Sequence, residues 1–297
     1  MQIPTVSVIM NCYNNEKFLR EALDSAILQS FSDWELIFWD DQSTDKSPEI
    51  FKSYNDPRFK YHRSQKRTKL GEARNLAVAQ ASGTWLAFLD CDDEWKPNKL
   101  EKQLDQAGQQ LDMIGIVYNP IEIKINSNNK RQASLKRIYD RLIITPHSAR
   151  SIYIDLLLMG NNIIFSALLI RRDLYLKVGG VNDKFSQNED YELLLKASRI
   201  SNAVCIEDVC TVYRIHDSNA SHVQAELNYK ENIAIYNNLP FDTVVARALK
   251  LNASRYAIYK ISKGQIFNGI KMLLMDGDPI WFIKRGCKRF AENVFRS

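Results

Sequence analysis

The sequence predicts an α/β fold, because short apolar runs typical of strands alternate with segments whose apolar residues recur at helical spacing. Each of the first strands ends in a polar or acidic loop before the next helix begins, which is the pattern of successive βαβ units. From about residue 221 onward only helical periodicity remains. These observations predict an α/β domain that is followed by a C-terminal helical appendage.

The first strands and helices follow one another closely. A β-rich run at 6–10 leads through a polar turn at 11–15 into a helix whose apolar face begins at Phe18. The second strand, at 35–39, ends in an acidic loop, and Pro48 is expected in the first turn of the next helix. The further predicted elements are a strand at 59–62, a helix at 71–81, a strand at 86–89, a helix at 97–106 and a strand at 114–118.

The second half of the α/β region is less regular. Residues 122–141 are polar and basic, and 126–131 are predicted to form a hairpin tip or a mobile loop. Ordered structure is expected to resume at Ile152, and 191–200 has the periodicity of an amphipathic helix.

Three carboxylates in four residues follow the fourth strand, at Asp90, Asp92 and Asp93. Because the carboxyl ends of parallel strands meet at one edge of an open sheet, the loops after strands one, two and four should lie together. Charge so concentrated is best explained by a bound cation, Mg²⁺ or Mn²⁺, that carries a substrate diphosphate. An isolated Asp-x-Asp more often marks a solvated turn, so only its context favours a metal site.

Composition and charge exclude several classes of protein. The 40 Lys+Arg and 35 Asp+Glu among 297 residues give a net charge of +5, which is too diffuse to predict a nucleic-acid partner. The five cysteines show no C-x-x-C spacing, which favours unpaired thiols in a reducing cytoplasm. The start lacks the features of a secretory signal, and the longest apolar run, 163–170, is far shorter than the roughly 20 residues of a membrane span. A cytoplasmic protein is therefore expected.

Six motifs follow in order along the chain, at 6–14, 40–45, 71–75, 88–97, 178–181 together with 188–193, and 213–216. In this order they resemble family 2 glycosyltransferases of the GT-A fold, and the resemblance covers about residues 4–220. It implies a mixed sheet flanked by helices, with a nucleotide-sugar half at 1–118 and an acceptor half at 119–220. A C-terminal helical extension is expected at 221–297.

The resemblance implies an inverting, metal-dependent transferase. Such an enzyme moves a sugar from a nucleotide-diphosphate sugar, a UDP-sugar here, to a hydroxyl group of a glycan or polyprenyl-linked acceptor in surface-polysaccharide biosynthesis. A sugar-phosphate nucleotidyltransferase is the alternative enzyme, but it would need a glycine-rich, basic phosphate loop near the N-terminus. A catalytically silent nucleotide-sugar-binding module is the non-enzyme alternative, and it would be expected to have lost Asp92 or Asp190.

In enzymes of this family the first two loops hold the donor nucleotide, which assigns Asn11, Tyr13 and Asp41 to donor binding. Asp41 would accept a hydrogen bond from the base, although the same residue also fits an Asx-turn. Gln42 stands where a glycine is common, which predicts a turn without positive φ. Arg74 is expected near the nucleotide or diphosphate, or alternatively on the helix surface.

The resemblance also assigns the metal site and the catalytic base. Asp92 matches the residue that binds the metal directly, Asp90 would contact ribose or a metal-bound water, and His216 is an additional candidate ligand. Asp190 would be the general base that takes the proton of the acceptor hydroxyl, and the alternative is a first-turn acid favoured by the helix dipole. Asp93 is expected to cap the next helix.

The C-terminal segment 278–297 combines apolar side chains with the basic residues Lys284, Arg285, Lys288, Arg289 and Arg296. Such a composition predicts a helix that lies in an anionic membrane interface, where a polyprenyl-linked acceptor would be reached. The alternative is a helix that packs its apolar face on the catalytic domain and keeps its charges in water.

Overall fold

The computed structural model describes residues 3–108, 114–125, 146–216 and 225–281. The chain divides into two compact units, one made of 1–156 with 161–219 and the other of 157–160 with 220–297. The predicted hairpin tip at 126–131 and residues 282–297 of the predicted membrane-surface helix lie outside the described residues.

The first unit contains the α/β core. Its strands are β1 (Val6–Cys12), β2 (Trp34–Asp40), β3 (Phe59–Arg63), β4 (Trp85–Phe88), β5 (Glu94–Trp95), β6 (Ile114–Tyr118), β7 (Ile121–Ile125), β8 (His147–Arg150), β9 (Leu168–Arg171), β10 (Asn202–Cys205) and β11 (Thr211–Ile215). Its helices are α1 (Leu19–Ile27), α2 (Ser47–Lys52), α3 (Leu70–Ala79), α4 (Lys99–Gly108), α6 (Arg172–Lys177) and α7 (Glu189–Ser198). Helix α5 (Tyr153–Met159) begins in this unit, and its last residues belong to the second.

The described strands form a large sheet in the order β3-β2-β1-β4-β9-β6-β10-β8 and a small sheet in the order β5-β11-β7. In the large sheet β1 is parallel to β2 and β4, and β2 is parallel to β3. Strand β9 runs antiparallel to both of its neighbours, β4 and β6. The predicted mixed sheet flanked by helices is therefore confirmed.

The central strands are buried because both faces of the large sheet are covered. Strand β2 is buried along its whole length, and β1 is buried at every position except Asn11. Both consequently appear in the sequence as continuous apolar runs and do not alternate. Helix α1 packs Leu19, Leu23 and Ala26 into the same core. Since β1, β2 and β4 are parallel neighbours, their carboxyl ends meet at one edge, as predicted.

Most predicted elements up to residue 118 are confirmed with small displacements of their ends, but the turn after β2 differs from expectation. Gln42 has a φ of 67°, so the prediction of a turn without positive φ was wrong. Its side-chain amide donates to the Ser64 carbonyl, and the Asp40 carboxylate accepts from the Ser43 N–H at 2.8 Å. These bonds hold a backbone conformation that glycine would adopt at lower cost.

The predicted unpaired thiols are confirmed for the described cysteines, Cys12, Cys91, Cys205 and Cys210.

The second unit is helical in its described part, with α8 (Ala225–Asn237), α9 (Thr243–Ser262) and α10 (Ile266–Met275). Asp242 caps α9, since its carboxylate accepts from the N–H groups of Val244 and Val245 at 2.8 Å each. Helix α10 packs on α9 so closely at Gly269 that a Cβ atom there would collide with it. The predicted helical character is confirmed for the described residues. None of the helices among them is both long and apolar enough to cross a membrane.

Candidate active site

Hydrogen bonds join the loops that follow β1 and β2. The Asn14 side-chain carbonyl accepts from the Thr44 N–H at 2.8 Å, and the Ser43 hydroxyl accepts from the Asn14 N–H at 3.1 Å. Asp40 is fully buried and accepts from the Tyr61 hydroxyl at 2.6 Å. The two loops are therefore linked to each other at the carboxyl end of the large sheet. The buried Asp40 side chain stabilises them from below through its hydrogen bonds to Ser43 and Tyr61.

Asp41 and Tyr13, both predicted to bind the donor, are brought together by Arg67. The Arg67 guanidinium forms an ion pair with the Asp41 carboxylate and stacks over the Tyr13 ring, with Cζ 3.4 Å from the ring centroid. Asp41 is buried and also accepts from the Thr68 hydroxyl at 3.0 Å. The loop before α3 thus contributes a planar cation to a site that we predicted from the first two loops alone.

Asn11, the third residue predicted to bind the donor here, is the last but one residue of β1, and one of its polar atoms has no partner among the described residues. Its buried side-chain Nδ2 has no hydrogen-bond acceptor among the described residues. Its backbone carbonyl accepts from the Cys91 thiol at 3.3 Å. A buried amide donor without an acceptor costs about 1–3 kcal/mol. Asn11 is therefore suited to donate a hydrogen bond to a ligand at this edge.

Carboxylates crowd the loop after β4, as predicted. Asp90 and Asp92 are partly exposed, whereas Asp93 is buried. Burial and the charge of Asp92 raise the pKa of Asp90 although the Arg74 guanidinium opposes them, and burial with both acidic neighbours raises the pKa of Asp93 well above its ordinary value. The expected cap on α4 was wrong, because Asp93 Oδ1 accepts from the backbone N–H of Arg214 at 3.0 Å. Mutual repulsion of this kind would be relieved by a bound cation.

His216 directly follows strand β11 and lies beside the acidic loop after β4. Nε2 of His216 lies 2.9 Å from Oδ2 of Asp92, and its ring centroid lies 4.8 Å from that of Phe18. The antiparallel pairing of β11 with β5, which directly follows the loop, fixes this approach. Arg214 on the same strand donates from Nε to the Asp92 carbonyl at 2.8 Å and pairs with Glu21 at 2.7 Å. The two predicted metal ligands are thus in direct contact.

Asp92 and His216 suit a divalent cation that takes few ligands from the protein. Carboxylate oxygens are preferred ligands of Mg²⁺ and Mn²⁺, and an imidazole nitrogen is also acceptable to the softer transition metal. Within the described ranges, no group of three or more His, Cys, Asp or Glu side chains is arranged to hold a metal ion. The pair therefore fits an ion that keeps several waters and shares the oxygens of a substrate phosphate. Metal binding stays a prediction.

Arg74 is buried, which excludes the alternative of a surface arginine, and it links two acidic segments. Nη1 donates to Glu189 Oε1 at 2.7 Å, and Nη2 donates to Asp90 Oδ1 at 3.3 Å. The guanidinium also lies over the Phe165 ring, 4.3 Å from its centroid. The start of α7, where Asp190 follows Glu189, consequently lies beside the acidic loop after β4.

Asp190, the predicted general base, is oriented by two hydrogen bonds in the first turn of α7. Oδ2 accepts from the Asn161 side-chain amide at 3.0 Å, and Oδ1 accepts from the Tyr191 N–H at 2.6 Å. Its side chain remains partly exposed. Burial, followed by the charge of Glu189, raises the pKa of Asp190 to about 7. A carboxylate with such a pKa can take a proton from a hydroxyl group and release it at neutral pH.

The turn that leads towards α7 depends on a close approach to α3. Gly180 has a φ of 68°, and a Cβ atom there would lie 2.5 Å from Asn75 Oδ1. Asn75 accepts from the Tyr175 hydroxyl at 2.7 Å and donates to the Val181 carbonyl at 2.8 Å. Asn75 directly follows Arg74 on α3. Its hydrogen bonds therefore hold the motif at 71–75 against the motif at 178–181, which contains the two glycines.

Three residues of this site were absent from the predicted set. In the sequence, Arg67 is only one of four basic residues between 63 and 69, and Arg214 is only a member of the last motif. Asn161 had no local signal, because its contact with Asp190 exists only in the folded chain.

The sequence is similar to known glycosyltransferases. The family model for glycosyl transferase family 2 matches residues 7–176. An uncharacterized glycosyltransferase of Rickettsia typhi is 27% identical over 220 residues, which cover 74% of this chain and 66% of that protein. The Escherichia coli UDP-Glc:alpha-D-GlcNAc-diphosphoundecaprenol beta-1,3-glucosyltransferase is 30% identical over 221 residues, which cover 73% of this chain and 79% of that protein. The chain thus spans slightly less than two thirds of the rickettsial relative.

Among solved structures, S. aureus TarS 1–349 in complex with UDP-GlcNAc superposes with a TM-score of 0.68 at 19% identity. The match covers 88% of this chain and 74% of that one. At this level of identity the similarity concerns the fold, and it confirms the GT-A architecture expected from the ordered motifs.

Proposed function

The chain belongs to glycosyl transferase family 2, and we propose that it transfers a sugar from a UDP-sugar to a hydroxyl group of a polyprenyl-linked glycan. One observation carries this proposal. Arg74 joins the acidic loop after β4 to the helix that bears Asp190. Stabilisation of a leaving diphosphate and removal of a hydroxyl proton, the two tasks of the transfer, can therefore be performed at neighbouring positions.

The donor would lie across the ends of β1, β2 and β4. Its base would be bound by Asp41, Tyr13 and Arg67, with a further hydrogen bond from Asn11. Asp92 and His216 would hold a divalent cation, Mg²⁺ or Mn²⁺, which as a Lewis acid neutralises charge on the diphosphate. Asp90 would contact ribose or a water molecule of that ion.

Asp190 would act on the acceptor side of the sugar. A carboxylate oxygen of Asp190 removes the proton of the acceptor hydroxyl. The hydroxyl oxygen attacks the anomeric carbon at the same time, from the face opposite the diphosphate, so the configuration inverts. Asn161 and the Tyr191 N–H orient the carboxylate for this step. Arg74 acts as a positioning residue, because its ion pair with Glu189 fixes the first turn of α7.

The relatives support the choice of substrates. The E. coli relative is named for transfer from UDP-Glc to a GlcNAc-diphosphoundecaprenol acceptor, and the solved TarS complex contains UDP-GlcNAc. An acceptor of this kind would place the protein at the inner face of the cell membrane, in the synthesis of a surface polysaccharide. The basic segment 278–297 would then contact the lipid surface.

A panel of nucleotide sugars tests the donor assignment. We expect UDP-sugars with Mg²⁺ or Mn²⁺ to raise the thermal unfolding temperature by several degrees, since a ligand at 100 times its Kd stabilises by about 2.7 kcal/mol. The UDP assignment predicts a smaller effect of GDP-sugars, because the E. coli relative is named for UDP-Glc and the solved TarS complex contains UDP-GlcNAc. Chelation of the metal should remove most of the shift. Stabilisation only by a sugar phosphate with a nucleoside triphosphate would favour a nucleotidyltransferase, and binding without transfer or hydrolysis would favour a silent module.

The pH dependence of transfer should respond to Asn161. Because the base must be deprotonated, kcat/KM is expected to rise with pH through the pKa of Asp190, about 7. The amide of Asn161 stabilises the charged carboxylate, so Asn161→Ala should raise this pKa and move the acidic limb to higher pH. A hydrogen bond of about 1 kcal/mol corresponds to a shift of roughly 0.7 pH unit. An unchanged pH profile with a uniformly lower rate would show that Asn161 has only a structural role.

A further inference from the structure

Helix α10 presents an apolar face to solvent. It packs on α9 through the buried residues Gly269 and Leu273. Its exposed apolar side chains are Ile266, Phe267, Ile270, Leu274 and Met275. Ile266, Ile270 and Leu274 recur at four-residue spacing and form one stripe, beside which Phe267 is 79% exposed. Soluble monomers seldom leave so many large apolar side chains uncovered on one short helix.

The positive charge of the chain is concentrated in the part of the sequence that contains and follows this helix. The charged residues between 259 and 281 are Lys260, Lys263, Lys271, Asp276 and Asp278. Residues 259–297 together contain eight Lys or Arg and three Asp or Glu, an excess of +5 that equals the net charge of the whole chain. The remaining 258 residues are therefore electrically balanced. The positive excess of the protein is concentrated in the same region of sequence as the uncovered apolar helix.

We infer that the exposed face of α10 inserts into an anionic lipid surface. The apolar stripe lies at the boundary between headgroups and acyl chains, while Lys263 and Lys271 pair with anionic headgroups. This inference rests on the proposed function in that a lipid-linked acceptor needs an enzyme at the membrane. It deepens that proposal by assigning the attachment to a particular helix, separate from the basic segment beyond residue 281.

A partner protein and the chain's own basic segment at 284–289 are less suited than lipid to cover this face of α10. A helix of ten residues is about 15 Å long, so one of its faces offers far less than the roughly 800 Å² that each partner contributes to a stable protein interface. The segment 284–289 of the same chain has four basic residues, which would repel Lys263 and Lys271 if it lay there. An anionic lipid surface attracts all of these cations and covers the apolar stripe as well.

Cosedimentation of the full chain with vesicles tests the inference. Wild-type protein should bind phosphatidylglycerol vesicles, bind phosphatidylcholine vesicles at least tenfold less, and lose affinity with added salt. The double substitution Phe267→Glu with Ile270→Glu should lower the partition coefficient by roughly tenfold or more, because two apolar side chains that would insert into the lipid become charged. Phe241→Glu is the matched control for the change at Phe267, since Phe241 has the same exposed fraction of 79% in the same unit but lies outside α10. It should bind as wild type does.

Vesicle binding is measured without donor or acceptor, and transfer to a short soluble acceptor is measured in parallel. The double variant should keep that transfer activity and its unfolding temperature, so loss of vesicle binding would not reflect misfolding. Equal binding of the double variant and wild type, or no binding by wild type, would overturn the inference and leave the proposed catalytic function standing. A wild-type dimer that the same substitutions dissociate, without vesicle binding, would identify a second copy as the occupant.

Discussion

Replacing Asp190 with Asn is expected to lower the rate of sugar transfer by on the order of 10²-fold or more, while donor affinity stays nearly unchanged. The amide has the shape of the carboxylate and can still accept a hydrogen bond from the Tyr191 N–H. It cannot take the proton of the acceptor hydroxyl. Initial rates at saturating donor and acceptor, together with calorimetric titration of the donor, measure the two effects separately.

Glu192→Gln provides the matched control for this experiment. Glu192 is another acid in the first turn of α7, and it pairs with Lys196 at 2.9 Å. If Asp190 served only as a first-turn acid that favours the helix dipole, the two substitutions would have similar consequences, chiefly for stability. We expect Glu192→Gln to change the rate only a few-fold, because Glu192 pairs with Lys196 of the same helix and a Gln side chain can still accept the hydrogen bond from the Asn182 amide. Parallel losses of donor affinity and rate in Asp190→Asn would contradict its assignment as the base.

The sequence was sufficient to predict the sheet edge at which the site lies. Continuous apolar runs and the polar loops behind them are local signals, and parallel neighbours bring their carboxyl ends together without further information. Accordingly, Asn11 is the last but one residue of β1, Asp41 directly follows β2, and Asp92 lies in the loop after β4. Their roles in binding donor and metal stay predictions, but their place in the fold follows from the pattern of strands.

The contacts made by these residues were much harder to predict, because they join distant parts of the chain. Asn161 and Asp190 are 29 positions apart, and no periodicity relates them. The positive φ of Gln42 depends on the carbonyl of Ser64, 22 positions away, so a rule based on the local residue type gave the wrong turn. Arg67 meets Asp41 only because the loop before α3 folds back over the ends of β1 and β2. Tertiary hydrogen bonds here outweigh local propensity.

Replacing Asp92 with Asn should abolish the metal-dependent part of donor binding, with a loss of affinity of roughly 10²-fold or more. A neutral amide cannot balance the charge of a cation that bridges to a diphosphate. Folding should survive, because Asp92 adds to the repulsion that raises the pKa of Asp90 and Asp93. Removing one of these charges relieves that repulsion. Donor titrations with and without Mg²⁺ or Mn²⁺, and the unfolding temperature of each variant, give the required comparison.

The neighbouring Asp93→Asn variant separates the effect of a metal ligand from that of charge in the loop. Burial and the two neighbouring acids raise the pKa of Asp93 well above its ordinary range, which favours its neutral form. The amide oxygen that this substitution introduces could still accept from the Arg214 N–H, as Oδ1 of Asp93 does at 3.0 Å. This control should therefore retain metal-dependent donor binding. If Asp92→Asn also retained it, the acidic loop would not be the metal site, and the contact between His216 and Asp92 would have to be explained as structural support for β11.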